Sequence, residues 1–124
     1  MSRAILGRDG ENAAAEFFAH LGYTVVMRNY RAGRCEIDII CRDGGFIVFA
    51  EVKARSSRDF GTAAAAVTPE KQRRIIKAAE VFLAESEAYA ELQPRFDIAE
   101  VYSENGRLYV NHIADAFVKK RTGF

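Results

Sequence analysis

The chain has 124 residues, of which 49% are hydrophobic and 28% charged, and its formal net charge is +1. This length and apolar content predict a single domain, residues 1–124, with one hydrophobic core. A net charge near zero excludes a uniformly basic nucleic-acid coat protein, so any attraction for polyanions must be local. Cys35 and Cys41 would lie roughly 20 Å apart on one strand, too far for a disulfide. With no apolar run of membrane-spanning length, we expect a cytoplasmic protein without membrane attachment.

The first predicted element is an amphipathic helix over residues 10–21. Its apolar residues follow the i, i+3, i+4, i+7 spacing of a buried helix face: Ala14, Phe17, Phe18 and Leu21. Gly22 favours the end of this helix, and a strand is predicted over residues 23–30. Glu11 lies three residues before the first apolar position, so its carboxylate is predicted at the amino end of the buried face.

Two further strands, residues 36–41 and 46–53, flank the turn Asp43-Gly44-Gly45 and predict an antiparallel hairpin. Alternation places two acids of the first strand on one face together with an aliphatic residue: Glu36, Asp38 and Ile40. The opposite face of that strand would carry Cys35, Ile37, Ile39 and Cys41. On the second strand, one face would carry Ile47, Phe49, Glu51 and Lys53. Both strands are otherwise apolar on both faces, and the hairpin brings Asp38 and Glu51 to similar depth, so we expect these carboxylates to converge.

The second half of the chain predicts a loop, a helix, a hairpin and a closing helix. Residues 54–67 have no clear period and read as a loop. Thr68-Pro69 then predicts a helix start. That helix would bury one apolar face: Ile75, Ile76, Ala79, Phe82 and Leu83. Asn105-Gly106 predicts a hairpin between strands 95–102 and 107–113, and a short helix is predicted over residues 114–120.

Ionisable groups inside apolar strands need a reason, because a buried, unpaired carboxylate is costly. A divalent cation such as Mg²⁺ takes oxygen ligands, commonly one or two carboxylates with water and phosphate oxygens, and Asp38 with Glu51 meets that minimum. Such an ion would lower the pKa of a bound water and offset charge on a phosphodiester. Lys53 could orient the water, and Glu11 and Gln72 could add a carboxylate and an amide from two helix amino ends.

Each of these residues also has a simpler interpretation. Glu51 and Lys53 could form a same-face ion pair at a strand end, and Asp38 could be an acid at a solvated strand end. Glu11 could interact with the helix dipole, and Gln72 could be present as a good helix former. The metal hypothesis is favoured because all of these residues fit a single site.

Charge is unevenly distributed along the chain. Residues 53–77 hold seven basic side chains and two acids, whereas residues 80–104 hold seven acids and one arginine. The basic segment predicts a local surface for a polyanion. Its proposed nucleic-acid contacts are Arg55, Arg58, Lys71, Arg73, Arg74 and Lys77.

The order of motifs resembles a known nuclease superfamily. A helix with Glu11, then "EID", a hairpin, "EVK" and the "TPEKQRR" helix are similar to the PD-(D/E)XK, or restriction-endonuclease-like, superfamily. The segments "CEIDII", "FAEVKARSSRDFGTAAAAVTPEKQRRI" and "RFDIAEV" resemble the uncharacterised bacterial YraN-like proteins, which are similar to archaeal Holliday-junction resolvases. The resemblance extends from about Gly7 to Phe117. It departs at Ile37, where the superfamily has Pro, and at Cys35, where YraN-like proteins usually have Gly.

This resemblance implies a fold, an activity and a set of site residues. The fold would be α/β, a mixed sheet of about five strands flanked by helices. Metal-binding acids would be Asp38, Glu51 and Glu11, with Lys53 and Gln72 completing the catalytic set. The activity would be Mg²⁺- or Mn²⁺-dependent hydrolysis of phosphodiester bonds in DNA, branched or structured DNA in particular, by a chain that could act as a homodimer. The alternatives are a catalytically silent nucleic-acid-binding or adaptor module on the same fold, and a structural interaction protein.

Overall fold

Five strands and two long helices make up the part of the chain that the computed structural model describes, residues 3–55 and 67–120, with side chains described from Arg8 onward. The helices are α1 (Arg3–His20) and α2 (Pro69–Glu85), followed by a 3-10 turn at Glu87–Tyr89. The strands are β1 (Thr24–Ala32), β2 (Cys35–Asp43), β3 (Phe46–Arg55), β4 (Gln93–Glu104) and β5 (Arg107–Phe117). Neither described helix is sufficiently long and apolar to cross a membrane.

The strands form one mixed sheet in the order β1-β2-β3-β4-β5. Neighbouring strands are antiparallel except for β3 and β4, which run parallel. A parallel pair needs a crossover, and α2 lies in the connection between β3 and β4. The α/β fold with a five-stranded mixed sheet is therefore confirmed.

The helices cover opposite faces of the sheet and create two apolar clusters. On one face, α2 packs Ile75, Ile76 and Phe82 against side chains that include Ile47 and Phe49. On the other face, the cluster contains side chains of α1 and the sheet: Ala14, Phe18, Ile39, Cys41, Val48, Ala50, Ala99 and Val101. The central strands are thus apolar on both faces, as their sequences predicted.

Turn and helix-cap residues in the sequence correctly predicted the start of α2 and both hairpins. Thr68 Oγ1 accepts a hydrogen bond from Lys71 N at 3.2 Å, and Pro69 begins α2 as predicted. Both predicted hairpins are present. β3 extends to Arg55, so the first two residues of the predicted loop 54–67 are strand, and residues 56–66 lie outside the described residues.

The predicted closing helix over residues 114–120 is wrong, because β5 continues to Phe117. The strand is irregular there: Asp115 has a φ of 53°, and the register with β4 shifts between Phe96 and Ile98. The shift brings Phe117 opposite Phe96, and the two rings stack with centroids 5.2 Å apart. Burial of this aromatic pair outweighs the local helical tendency of residues 114–120.

The predicted alternation along β2 is also wrong at its beginning. Ile37 and Ile40 both pack in the α2 cluster, whereas Ile39 and Cys41 pack in the α1 cluster. Strict alternation would place Ile37 with Ile39. β2 therefore changes its facing between Ile37 and Ile39, at Asp38.

A buried carboxylate, Asp97 of β4, organises the end of the sheet near the β2–β3 turn. Asp97 is fully buried and accepts hydrogen bonds from Arg95 Nε and Nη2, His112 Nε2 and Asp115 N, all between 2.8 and 3.0 Å. Arg95 also bonds Asp43 of β2 and the Tyr23 hydroxyl. Burial alone would raise the pKa of Asp97, but the hydrogen bonds from His112 and Arg95 lower it below its ordinary value.

Asp97→Ala should reduce the free energy of unfolding by about 3–5 kcal/mol, because it removes the main partner of the buried Arg95 guanidinium. The Asp97 contribution should be present above the ordinary pKa of 3.8 and be lost as the pH falls through the lowered folded-state pKa. Urea unfolding monitored by circular dichroism would measure both effects. The control is Glu70→Ala, which removes an exposed pair with Arg74 and should cost less than about 0.5 kcal/mol. Equal losses for the two variants would contradict this role of Asp97.

Candidate functional site

The candidate site lies where the sheet divides between β2 and β3. The β2–β3 pairing runs from Asp43↔Phe46 to Ile39↔Ala50. Beyond that point β2 remains paired with β1 as far as Cys35, and β3 remains paired with β4 as far as Arg55. The next residues after the last β2–β3 pair are Asp38 and Glu51, so both acids stand at the beginning of this fork.

Asp38 satisfies a backbone group that the fork would otherwise leave unpaired. Its Oδ2 accepts a hydrogen bond from Val52 N at 2.8 Å. Burial raises the pKa of Asp38, whereas the Val52 bond lowers it, and the net effect is a rise above 3.8. The negative charge of Glu36, which pairs with Arg31 at 3.7 Å, also raises the pKa of Asp38.

Glu51 is the second carboxylate of the fork, and only 6% of its surface is exposed. Burial and the adjacent charge of Asp38 raise its pKa from 4.5 to about 7. A side-chain interaction between the two acids raises the pKa of Glu51 and lowers that of Asp38. The two carboxyl groups therefore titrate as an interacting pair, and burial favours retention of one proton by the pair.

Glu11 of α1 approaches the same acids from the opposite side of the sheet. Burial raises its pKa, and the next cause is the negative charge of Asp38, so the two carboxylates interact. The positive charge of Arg28, whose Nη2 lies 3.9 Å from Glu11 Oε1, lowers the pKa of Glu11, and the Asn29 side chain lowers it further. Glu11, at the amino end of the buried helix face, thus interacts with the acid pair through the charge of Asp38.

Two lysines supply positive charge around the acid pair. Lys71, in the first turn of α2, lowers the pKa of both Asp38 and Glu51, and Lys53 lowers that of Glu51. Both lysines are half-buried. For Glu51 the effect of Lys71 exceeds that of Lys53, although the sequence assigned Lys71 only to the nucleic-acid surface. Gln72 donates its Nε2 to Val67 O at 3.0 Å, within the entry to α2.

The predicted nucleic-acid contacts have different surroundings. Arg73 and Lys77 are exposed on α2, and Arg74 is exposed but pairs with Glu70 at 2.8 Å. Arg55 donates from Nε to Glu100 at 2.9 Å. Arg58 lies outside the described residues.

The sequence interpretation missed two buried acids of β4, Asp97 and Glu100, which are 0% and 1% exposed. Their segment, "RFDIAEVY", carries the signal that drew attention to Asp38 and Glu51, namely acids inside an apolar strand. Both lie in the acidic segment 80–104. Each is hydrogen-bonded to an arginine, so neither acts as a free surface charge.

The carboxylate oxygens at the fork suit a hard divalent cation as ligands. In the described part of the chain, two buried side-chain oxygens have no hydrogen-bond partner, Glu11 Oε1 and Glu51 Oε2, and both belong to predicted metal ligands. Buried carboxylate oxygens normally have partners, so these atoms fit a role as ligands. Among the described residues, however, no three His, Cys, Asp or Glu side chains are close enough together to hold an ion. The fit is therefore to the pair Asp38 and Glu51, and Glu11 as a third ligand stays a prediction.

Glu51→Gln should stabilise the metal-free protein at pH 8 by on the order of 3 kcal/mol and change it much less at pH 5. The folded-state pKa of about 7 exceeds the ordinary 4.5, so the folded protein retains a proton that the unfolded chain releases between these values. Wild-type stability should therefore fall as the pH rises through this window, whereas Gln resembles the protonated acid at every pH. Urea unfolding in EDTA at both pH values would measure the difference.

The control for this experiment is Glu80→Gln, which removes an exposed acid that pairs with Lys119. It should give the same small change at both pH values. A Glu51→Gln variant that is less stable than wild type at pH 8 would show that the ionised carboxylate stabilises the fold, against the expectation.

Comparison with known proteins places this arrangement in a family. The uncharacterised protein family UPF0102 matches residues 10–101, a range that contains both acids of the fork and all of α2. A UPF0102 protein of Prosthecochloris aestuarii is 46% identical over 118 residues, covering 90% of this chain and 92% of the relative. A UPF0102 protein of Symbiobacterium thermophilum is 46% identical over 119 residues, covering 94% and 98%. The chain therefore belongs to UPF0102, the YraN family.

Proposed function

We propose that this protein is a metal-dependent endonuclease that hydrolyses phosphodiester bonds in DNA with Mg²⁺ or Mn²⁺. The observation that carries the proposal is the placement of Asp38 and Glu51 at the fork, with Glu51 Oε2 buried and unbonded. A divalent cation there would lower the pKa of a bound water and offset the negative charge that develops on the phosphodiester.

The chain's own residues then have separable roles. Asp38 and Glu51 hold the cation, and the bond from Val52 N fixes the orientation of Asp38. Glu11 adds negative charge beside Asp38 and contributes to cation attraction. Lys53 follows Glu51 by two residues on the same strand face and is suited to orient a water or contact a phosphate oxygen. Lys71 and Gln72 lie in the first turn of α2, whose amino end favours an anion.

The substrate class follows from charge and from the family resemblance. Arg73 and Lys77 extend the positive charge of Lys71 along the exposed side of α2, which suits a nucleic-acid backbone. The similarity to archaeal Holliday-junction resolvases supports branched or structured DNA. Junction resolution needs two cuts, which favours a homodimer as the acting form.

Asp38→Ala should abolish Mn²⁺ binding and reduce cleavage of a DNA junction by on the order of a hundredfold or more. The variant removes one of two proposed cation ligands and also releases Val52 N. Isothermal titration of Mn²⁺ into both proteins, followed by a cleavage gel on the same samples, would test both expectations. Asp38→Asn is the second variant, since it keeps the size of the side chain and removes its charge.

The matched control is again Glu80→Gln, an acid removed from the exposed side of α2. It should bind Mn²⁺ and cleave DNA as wild type does. Unchanged Mn²⁺ binding in Asp38→Ala would contradict the proposal. Absence of cleavage in the wild type, together with salt-sensitive DNA binding that survives loss of Asp38 and Glu51, would instead support the silent binding module.

A further inference from the structure

A further buried carboxylate, Glu100, lies near the fork and has no role in the proposed reaction. Glu100 of β4 is 1% exposed and stands opposite Lys53 in the parallel β3–β4 register. By alternation it shares a sheet face with Phe96 and Ile98, which pack in the α2 cluster. Glu51 and Lys53 occupy the same face of β3, so Glu100 lies on that face beside these two charged side chains.

Both oxygens of Glu100 are used to join three strands. Oε2 accepts from Arg55 Nε of β3 at 2.9 Å, and Oε1 accepts from Asn111 Nδ2 of β5 at 3.1 Å. Asn111 is also the cross-strand partner of Glu100. The Glu100 carboxylate is therefore fixed from both sides, and it in turn restricts the position of the Arg55 guanidinium.

Stability alone is a weak reason for a buried carboxylate at this position. The preceding residues on the same face of β4 are apolar, and a buried ion pair is often no more stabilising than a hydrophobic replacement of similar volume. A buried pair of this kind can instead give a defined orientation. Of the two side chains in this pair, Arg55 is the one that can reach a ligand in an oriented state. Its side chain is 29% exposed, whereas that of Glu100 is 2% exposed.

Arg55 is well placed for a phosphate of the same substrate. Glu51, Lys53 and Arg55 are alternate residues of β3, so successive side chains on this face begin about 6.6 Å apart. The bond to Glu100 is made by Nε, at the base of the guanidinium. Arginine binds phosphate through the coplanar N–H donors of its guanidinium group. Fixing the guanidinium at Nε reduces the conformational entropy that is lost when the arginine binds phosphate.

We propose that Glu100 and Asn111 are positioning residues that orient Arg55 to bind a DNA backbone phosphate beside the acid pair. The inference rests on the proposed function for its substrate class, and it adds a contact that is independent of the cation. Arg55 is the residue that touches the substrate, and Glu100 acts only through it.

The test is binding of a fluorescent DNA junction in EDTA, measured by anisotropy over a series of salt concentrations. Arg55→Ala should weaken binding about tenfold and lower the salt slope by about one, because one phosphate contact is lost. Glu100→Gln should weaken binding several-fold, and it should have no further effect when added to Arg55→Ala. Arg55→Lys should have the salt slope of the wild type but recover only part of the affinity that Arg55→Ala loses, since a lysine lacks the planar guanidinium donors.

The control is Arg42→Ala, which removes an exposed arginine at the opposite end of β2, where it bonds Gly44 O. It should leave the affinity unchanged within about twofold. If Glu100→Gln does not fold, Asn111→Ala answers the same question, because it removes one of the two bonds that fix Glu100. An effect of Glu100→Gln that persists in the Arg55→Ala background, or an affinity that is insensitive to Arg55, overturns the inference.

These outcomes separate the inference from the nuclease proposal. A protein that cleaves DNA with a binding affinity that does not depend on Arg55 overturns only the positioning role. A protein that binds through Arg55 and Glu100 but does not cleave with any metal overturns only the nuclease.

Discussion

The separation of β2 from β3 is the constraint on which the candidate site depends. A continuous ladder would use the backbone groups of both strands and would set Asp38 and Glu51 as an ordinary cross-strand pair. The pairing instead stops at Ile39 and Ala50, and the Asp38 carboxylate takes the Val52 N–H. The fork therefore brings two acids together at a buried position, and the strand pairing places no positively charged group between them.

Three buried carboxylates in neighbouring strands show how differently a protein can treat the same chemical group. Asp97 accepts four hydrogen bonds, two of them from an arginine, and its pKa is lowered. Glu100 has both oxygens bonded. Glu51 keeps one oxygen without a partner, and its pKa is raised to about 7. The first two have the partners expected of structural acids, whereas Glu51 has the unsatisfied oxygen expected of a ligand.

Most of the fold could be predicted from local sequence signals. Thr68-Pro69 marked the start of α2, and the Gly-containing turns marked the two hairpins. The prediction failed where distant contacts decided the structure. Phe117 stays in a strand because it stacks on Phe96, and Ile37 departs from simple alternation because β2 changes its facing near the fork. Neither effect can be read from the residues of the segment itself.

For the candidate site, the sequence predicted which two acids lie side by side, and their role as metal ligands stays a prediction. The proximity of Asp38 and Glu51 follows from hairpin geometry alone, because the two residues lie at equal sequence distances from the β2–β3 turn. The proximity of Lys71 could not be obtained in this way, because it depends on how α2 returns across the sheet before β4 begins. Glu100 was missed for a different reason. Its partners, Arg55 and Asn111, come from β3 and β5, so its role appears only when three strands are aligned.

The electrostatics of the fork bear on the choice between an enzyme and a binding module. Ionised carboxylates at Asp38, Glu51 and Glu11 would repel a DNA backbone. Burial raises the pKa of each of them, and the negative charge of Asp38 raises the pKa of Glu11 and Glu51 further. A surface evolved only to bind phosphate would gain by replacing them with neutral residues. Buried acids beside Lys53 and Lys71 become compatible with a nearby phosphate once a cation offsets their charge. The position of these acids beside Lys53 and Lys71 therefore supports the proposed metal-assisted chemistry over binding alone.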